Sequence, residues 1–161
     1  MAGSGEMLEL YTDGGSHGNP GPGAWAYVLL GPNVRVEESG ARKNTTNNRM
    51  ELTAVINGLY AVFDRFGAKT HLTLYTDSQY VQKGLTEWLP NWERNGWRTA
   101  AKKPVKNKDL WIPLRDLSKQ LSISWNWVAG HSGVPENERC DKLVGAAISL
   151  ARESGDWEAD S

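Results

Sequence analysis

An α/β fold built on a mixed sheet is predicted by three observations. Two near-identical segments, Leu8-Glu9-Leu10-Tyr11-Thr12-Asp13 and Leu72-Thr73-Leu74-Tyr75-Thr76-Asp77, alternate at period two and are rich in residues that suit strands. The first of them opens a run of three strand-like segments close enough in sequence to form an antiparallel meander. A long amphipathic pattern then fills the connection to the second copy, and a helix in that place lets the two copies lie side by side and parallel. Each copy ends on an aspartate, so a parallel pairing brings Asp13 and Asp77 together. Two facing carboxylates repel and raise one another's pKa unless a proton or a divalent cation holds them. The alternative is that each aspartate only caps the segment after it, and Ser78 could cap the next helix by itself.

Taken in order, Met1 to Glu6 is small and polar and is expected to fray. After the first strand, Gly14 to Gly23 reads as a loop with five glycines, whose backbone can approach a ligand closely. Ala24 to Leu30 and Val34 to Gly40 read as strands joined by the turn Gly31-Pro32-Asn33. Thr45 to Asn48 offers capping side chains for a helix whose apolar positions are Leu52, Val55, Ile56, Leu59, Phe63 and Phe66, with Gly67 as the stop. Glu51 falls in its first turns, at the edge of the buried stripe, where an acid also suits the helix dipole. Beyond Asp77, Gln79 to Leu85 is a short helix, and Trp88 and Trp92 stand one turn apart in the next. Asn107 to Leu121 carries Leu110, Leu114, Leu117 and Leu121 on one helical face, with Pro113 tolerable only if the helix starts late or kinks. Ile123 to Val128 alternates as a fifth strand, Gly130 to Gly133 reads as a mobile loop, and Pro135 opens a last helix carrying Cys140, Leu143, Val144, Ala147 and Leu150. From Arg152 onward an acidic tail is expected.

Composition bounds the function. A chain of 161 residues makes one domain, able to bury roughly two thirds of its unfolded surface without staples. The single Cys140 excludes an internal disulfide and a cysteine metal cage, and no apolar run suggests a signal peptide or a membrane span, so a cytoplasmic location is expected. The protein is also expected to be a monomer. Net charge is −1, which argues against a wholly basic nucleic-acid binder. Charge is nevertheless uneven: Arg94, Arg98, Lys102, Lys103, Lys106 and Lys108 crowd fifteen positions without an acid, a local anion-seeking surface.

Four acids stand out by position: Asp13 and Asp77 at strand ends, Glu51 early in one helix and Asp141 early in the last. Four carboxylates with no cysteine or histidine among them make an all-oxygen site that selects magnesium or manganese over zinc or copper, and such sites usually handle phosphate. The segments Tyr11-Thr12-Asp13-Gly14-Gly15, Gly18 to Gly23, Thr46 to Leu52, Tyr75-Thr76-Asp77-Ser78-Gln79-Tyr80 and Pro135 to Asp141 together resemble bacterial-type ribonuclease H, type I, over nearly the whole span from Leu8 to Leu150.

The resemblance implies a five-stranded mixed sheet, an antiparallel meander plus parallel strands, flanked by helices. It implies hydrolysis of the RNA strand of an RNA–DNA hybrid, with Asp13, Glu51, Asp77 and Asp141 holding two Mg²⁺ ions, Mn²⁺ being an alternative, and with 5′-phosphate and 3′-hydroxyl product ends. His131 matches the family's histidine that helps protons or product leave. Asn19, Asn47, Asn48 and Gln79 occupy its positions for reading 2′-hydroxyls in a shallow minor groove, work for which amides suit because they both donate and accept. Asn47 and Asn48 could also simply cap their helix. On the DNA strand, Trp88 and Trp92 match an aromatic channel and Thr46 and Asn107 a phosphate pocket, while Lys102 and Lys103 of the basic segment 94–108 are expected to bind the substrate as well. The chain departs from the pattern at Glu93 and Asn95, where relatives often carry a basic residue, and at Asn44, where an arginine often lines the phosphate pocket. Each lost phosphate contact lowers affinity and flattens the salt dependence. Two rival classes are weighed against this reading. A hybrid-binding module that does not cut gains nothing from concentrating negative charge against phosphate, and an integrase or transposase normally carries further DNA-binding segments for which this length leaves no room.

Overall fold

The computed structural model describes residues 8–129 and 133–159. His131 therefore lies outside the described residues, with the rest of 130–132, as do residues 1–7, which include the expected frayed start. Five strands, β1 (Glu9–Ser16), β2 (Gly21–Gly31), β3 (Val34–Thr45), β4 (His71–Thr76) and β5 (Ser122–Trp127), form one sheet in the order β3-β2-β1-β4-β5. The β1–β2 and β2–β3 pairs are antiparallel, and the β1–β4 and β4–β5 pairs are parallel. The two sequence copies pair in register: Glu9 faces Thr73, Leu10 faces Leu74 and Tyr11 faces Tyr75. Continued by two residues, that register sets Asp13 beside Asp77.

Helices cover both faces. On one, α1 (Asn47–Phe66) and α4 (Lys108–Gln120) close the main core over Leu10, Trp25, Tyr27, Leu29, Leu72 and Leu74. On the other, α5 (Pro135–Ser154) sets Val144, Ile148 and Ala151 against Ala24, Ala26 and Ala41. Between β4 and α4, α2 (Gln79–Lys83) passes through a π-helical turn (Gly84–Trp88) into α3 (Leu89–Arg94). That turn has a local cause. Pro90 cannot donate to the preceding turn, and Leu89 N–H instead reaches back five residues to the Gly84 carbonyl. Gly84 also packs against the Trp111 indole, where an added Cβ would come within 1.9 Å of the ring.

Several expectations are corrected. β1 does not stop at Asp13 but runs on through Gly14 and Gly15, because Trp25 and Ala24 of β2 pair with them; β2 itself starts earlier than expected, at Gly21, and the glycine loop shortens to residues 17–20. β3 extends past Gly40 to Thr45. Thr46 is the N-cap of α1, its hydroxyl accepting from Arg49 N–H at 3.2 Å, so neither Asn47 nor Asn48 serves as the cap. Glu51 is consequently in the second helical turn, too deep for the dipole argument, since the first turn holds no acid. In α1 it is Val62 that is fully buried, while Phe66 is 36 % exposed; in α5, Ile148 takes the inward place and Leu150 is 65 % exposed. Pro113 lies inside α4 after all, and the carbonyl it leaves unbonded belongs to Asp109, whose exposed position lets water reach it. The tail expected from residue 152 is likewise overturned as far as Ala159. α5 continues to Ser154, Trp157 packs against the second core, and Glu158 accepts from Trp25 Nε1 at 2.9 Å while its own N–H donates to the Ala41 carbonyl at 2.7 Å.

Candidate active site

Four elements deliver one carboxylate each to the same cleft, of about 460 Å³: Asp13 from β1, Glu51 from α1, Asp77 from the end of β4 and Asp141 from α5. Each is placed by a nearby constraint. Gly14 lets β1 pass directly under α1, since a Cβ there would meet the Met50 carbonyl carbon at 2.3 Å and Glu51 N at 2.5 Å. The same contact puts Glu51 beside Asp13. Cys140 is fully buried and its Sγ–H reaches the Tyr11 carbonyl at 3.4 Å, which ties the first turns of α5, and so Asp141, to β1. Ser78, 3 % exposed, accepts from Val81 N–H at 3.1 Å as the cap of α2 and hydrogen-bonds the Glu51 carboxylate.

The electrostatics follow from this crowding. Burial, then the charges of Asp77 and Asp141 and more weakly of Glu51, push Asp13 from its ordinary 3.8 up to about 7, although the Gly14 N–H favours its ionised form. Burial, then Asp77, likewise push Glu51 up to about 7 against the favourable hydrogen bond from Ser78. The donor set is all oxygen and over-charged, the chemistry of a hard divalent cation's site. Yet among the described residues no group of three or more His, Cys, Asp or Glu side chains is gathered tightly enough to hold a metal ion by itself. Mutual repulsion explains the spacing, and a cation such as Mg²⁺, which keeps several of its waters, suits carboxylates that supply one or two contacts each.

Asn47 lines the cleft with the acids, and its backbone N–H donates to the Asn19 side-chain oxygen at 2.8 Å, which pins the 17–20 loop to the start of α1. Gln79 is exposed on the first turn of α2, and Asn48 is partly buried on the first turn of α1. Away from the cleft, Trp88 and Trp92 stand 5.7 Å apart, centroid to centroid, half-buried in an aromatic cluster with Tyr80, Trp97 and the fully buried Trp111. Asn107 is the N-cap residue of α4 and donates its amide to the Tyr80 hydroxyl at 3.1 Å. Lys102 and Lys103 are exposed on the loop closed by the Arg98–Pro104 bridge. Glu93 is engaged with Arg115 at 3.7 Å and Lys119 at 3.6 Å, so it faces α4.

Sequence reasoning missed several residues that line the cleft or lie just behind it. Asn137 and Glu138 line it four and three positions before Asp141, a helical spacing that could have named them. His17 lines it from the loop, and Ser78 reads from the sequence only as a cap.

The family model for RNase H matches residues 5–149, which is most of the chain and includes all four acids. The chain belongs to the ribonuclease H family. It is 53 % identical over 143 residues to the ribonuclease H of Hydrogenovibrio crunogenus, a match covering 89 % of this chain and 96 % of that protein. Among solved structures it resembles LC9-RNase H1, a type 1 RNase H with the type 2 active-site motif, at a TM-score of 0.78 and 29 % identity over 96 % of this chain and 77 % of the other. LC11-RNase H1, solved in complex with an RNA/DNA hybrid, shares the fold at a TM-score of 0.66 and 23 % identity, covering 90 % of this chain and 99 % of that one. The enzyme is thus a ribonuclease H, and the mixed five-stranded sheet expected from its sequence is the sheet observed.

Proposed function

We propose that this ribonuclease H cuts the RNA strand of RNA–DNA hybrids endonucleolytically at the cleft lined by Asp13, Glu51, Asp77 and Asp141, leaving 5′-phosphate and 3′-hydroxyl ends. The observation that carries the reading is the convergence of four carboxylates from four separate elements on one cleft, two of them pushed up to about 7. Such a concentration of negative charge opposes phosphate binding unless cations come with the substrate. The four acids would hold two Mg²⁺ ions, with Mn²⁺ as an alternative; when bound, these supply an activated water and neutralise charge at the scissile phosphate and the leaving oxygen.

The chain's own groups do the positioning. Ser78 and the Gly14 N–H each favour the ionised form of the carboxylate they touch. Asn19, Asn47, Asn48 and Gln79 read 2′-hydroxyls on the cut strand, with Asn19 spending its side-chain oxygen on the Asn47 N–H and keeping its amide N–H₂ free for the groove. Trp88 and Trp92 offer aromatic faces to the DNA strand, Thr46 and Asn107 take one of its phosphates, and Lys102 and Lys103 add long-range attraction. His131 assists product or proton release. The enzyme works as a cytoplasmic monomer, and no helix among the described residues is long and apolar enough to cross a membrane.

The test is a hybrid with end-labelled RNA incubated with Mg²⁺ or with EDTA, followed by end-group analysis of the products. Cleavage in Mg²⁺ alone, giving fragments that ligate without prior phosphorylation, is expected. Cleavage in EDTA, or 3′-phosphate ends, would overturn the proposal.

A further inference from the structure

Arg49 sits on the first turn of α1, next to Asn48 and two residues before Glu51. Its guanidinium makes a fork with Asp109 of α4, Nη1 to Oδ1 at 3.0 Å and Nη2 to Oδ2 at 2.7 Å. Nη1 also donates to Asn107 Oδ1 at 3.1 Å. From there the chain of bonds continues: Asn107 Nδ2 donates to the Tyr80 hydroxyl at 3.1 Å, and Trp111 Nε1 donates to the same hydroxyl at 3.1 Å. Tyr80 meets Trp88 edge-on with centroids 5.7 Å apart. The other end is fixed as well, because the Arg49 N–H is held by Thr46 and its carbonyl accepts from Thr53 Oγ1 at 2.7 Å.

An exposed ion pair between two helices would contribute little to stability, about 0–1 kcal/mol. This one differs in two respects. The Arg49 side chain is only 20 % exposed, and its planar fork fixes an orientation that a lysine could not. Moreover, Asn107 stands at a backbone φ of 61°, in the left-handed region, so its amide is presented from a tightly specified position and both ends of that amide are taken up by this network. With Oδ1 bonded to Arg49 and one N–H to Tyr80, a single N–H of Asn107 remains to be offered outward.

We propose that Arg49 is a positioning residue for hybrid binding: it orients the Asn107 amide and holds the Asn107–Tyr80–Trp88 surface at a fixed separation from the carboxylate cleft. The inference rests on the ribonuclease reading and names the device that keeps the contacts for the uncut strand in register with those for the cut one. Arg49 acts through Asn107 and does not itself contact the reacting atoms.

The experiment is a double-mutant cycle on steady-state cleavage of a hybrid in Mg²⁺, with wild type, Arg49→Lys, Asn107→Ala and the double variant, and with melting temperatures recorded for all four. Arg49→Lys should raise KM about five- to ten-fold with kcat within two-fold of wild type and a melting temperature within a few degrees. In the Asn107→Ala background it should raise KM no further, because the group it orients is gone. Asp109→Ala, which loosens the fork from its exposed end, should raise KM in the same direction and provides the reading if Arg49→Lys does not fold. Additive effects in the cycle, an unchanged KM, or a fall in kcat equal to that in kcat/KM would overturn the proposal. Wild-type turnover of the hybrid in the same plates separates this failure from failure of the ribonuclease reading, which would leave nothing to compare.

Discussion

Neutralising Asp13 should stabilise the apo protein while abolishing cleavage. In the folded chain this carboxyl is pushed up to about 7 from the ordinary 3.8. A raised carboxyl pKa means that the folded state resists ionising the group: the penalty is absent below about pH 4, grows as pH rises, and is complete above about 7. That interval corresponds to about 4 kcal/mol at most, and the open, partly solvated cleft halves it to about 2 kcal/mol. Asp13→Asn removes the penalty without changing the shape of the side chain. At pH 8 in EDTA its melting temperature should stand roughly 4–8 °C above wild type, the difference should shrink steadily towards pH 4, and Mg²⁺ should narrow it by relieving the wild-type repulsion. Calorimetry across that pH range measures all three. A variant less stable than wild type at pH 8, or a difference that does not depend on pH, would refute the electrostatic account of the cleft and assign Asp13 a structural role.

Other consequences are equally direct. Gly84→Ala should cost about 2 kcal/mol or more, because its Cβ would sit 1.9 Å from the Trp111 ring, and should lower both the chemical-denaturation midpoint and the near-UV signal of the tryptophan cluster; wild-type stability would mean that the ring is free to move. Lys102→Ala with Lys103→Ala should raise KM, spare kcat and reduce the slope of log affinity against log salt by roughly one to two; an unchanged slope would remove this loop from the interface. In DNA duplexes carrying one to five ribonucleotides, a single one should be cut far more slowly than four, since an amide reader left without its hydroxyl costs about 1–3 kcal/mol; equal rates would place recognition at one hydroxyl beside the cut. Removal of residues 155–161 should destabilise the protein measurably in thermal denaturation, because Trp157 and the two hydrogen bonds of Glu158 go with it; no change would show the docking to be marginal.

What could be read from the sequence was whatever depends on local period and repetition. The two strand copies announce a parallel pair because both alternate at period two, and their offset is the register observed between Glu9 and Thr73. Asp13 and Asp77 inherit their meeting from that register, and Glu51 and Asp141 become legible as companions through the motifs around them. Features that depend on distant partners were not legible. Gly14 and Gly15 read as loop because glycine suits turns, whereas their strand conformation is imposed by β2 and the lack of a Cβ at Gly14 is needed by α1. A leucine stripe in α4 hid Trp111, which is the buried centre of the aromatic cluster. The acidic composition after Arg152 reads as solvated chain, yet Glu158 has Trp25 waiting for it, 133 residues away. The partner of Arg49, sixty residues on, carries no local signal at all.

The central claim is that four carboxylates make this cleft a metal-dependent cutter of RNA paired to DNA. Its most direct test sets one labelled sequence in three duplexes, as RNA paired with DNA, as RNA paired with RNA and as DNA paired with DNA, each with wild type and with Asp13→Asn in Mg²⁺. The account predicts cleavage of the RNA strand in the hybrid by wild type alone, with both other duplexes intact. Cutting of the DNA duplex by wild type, or undiminished cutting of the hybrid by Asp13→Asn, would contradict it.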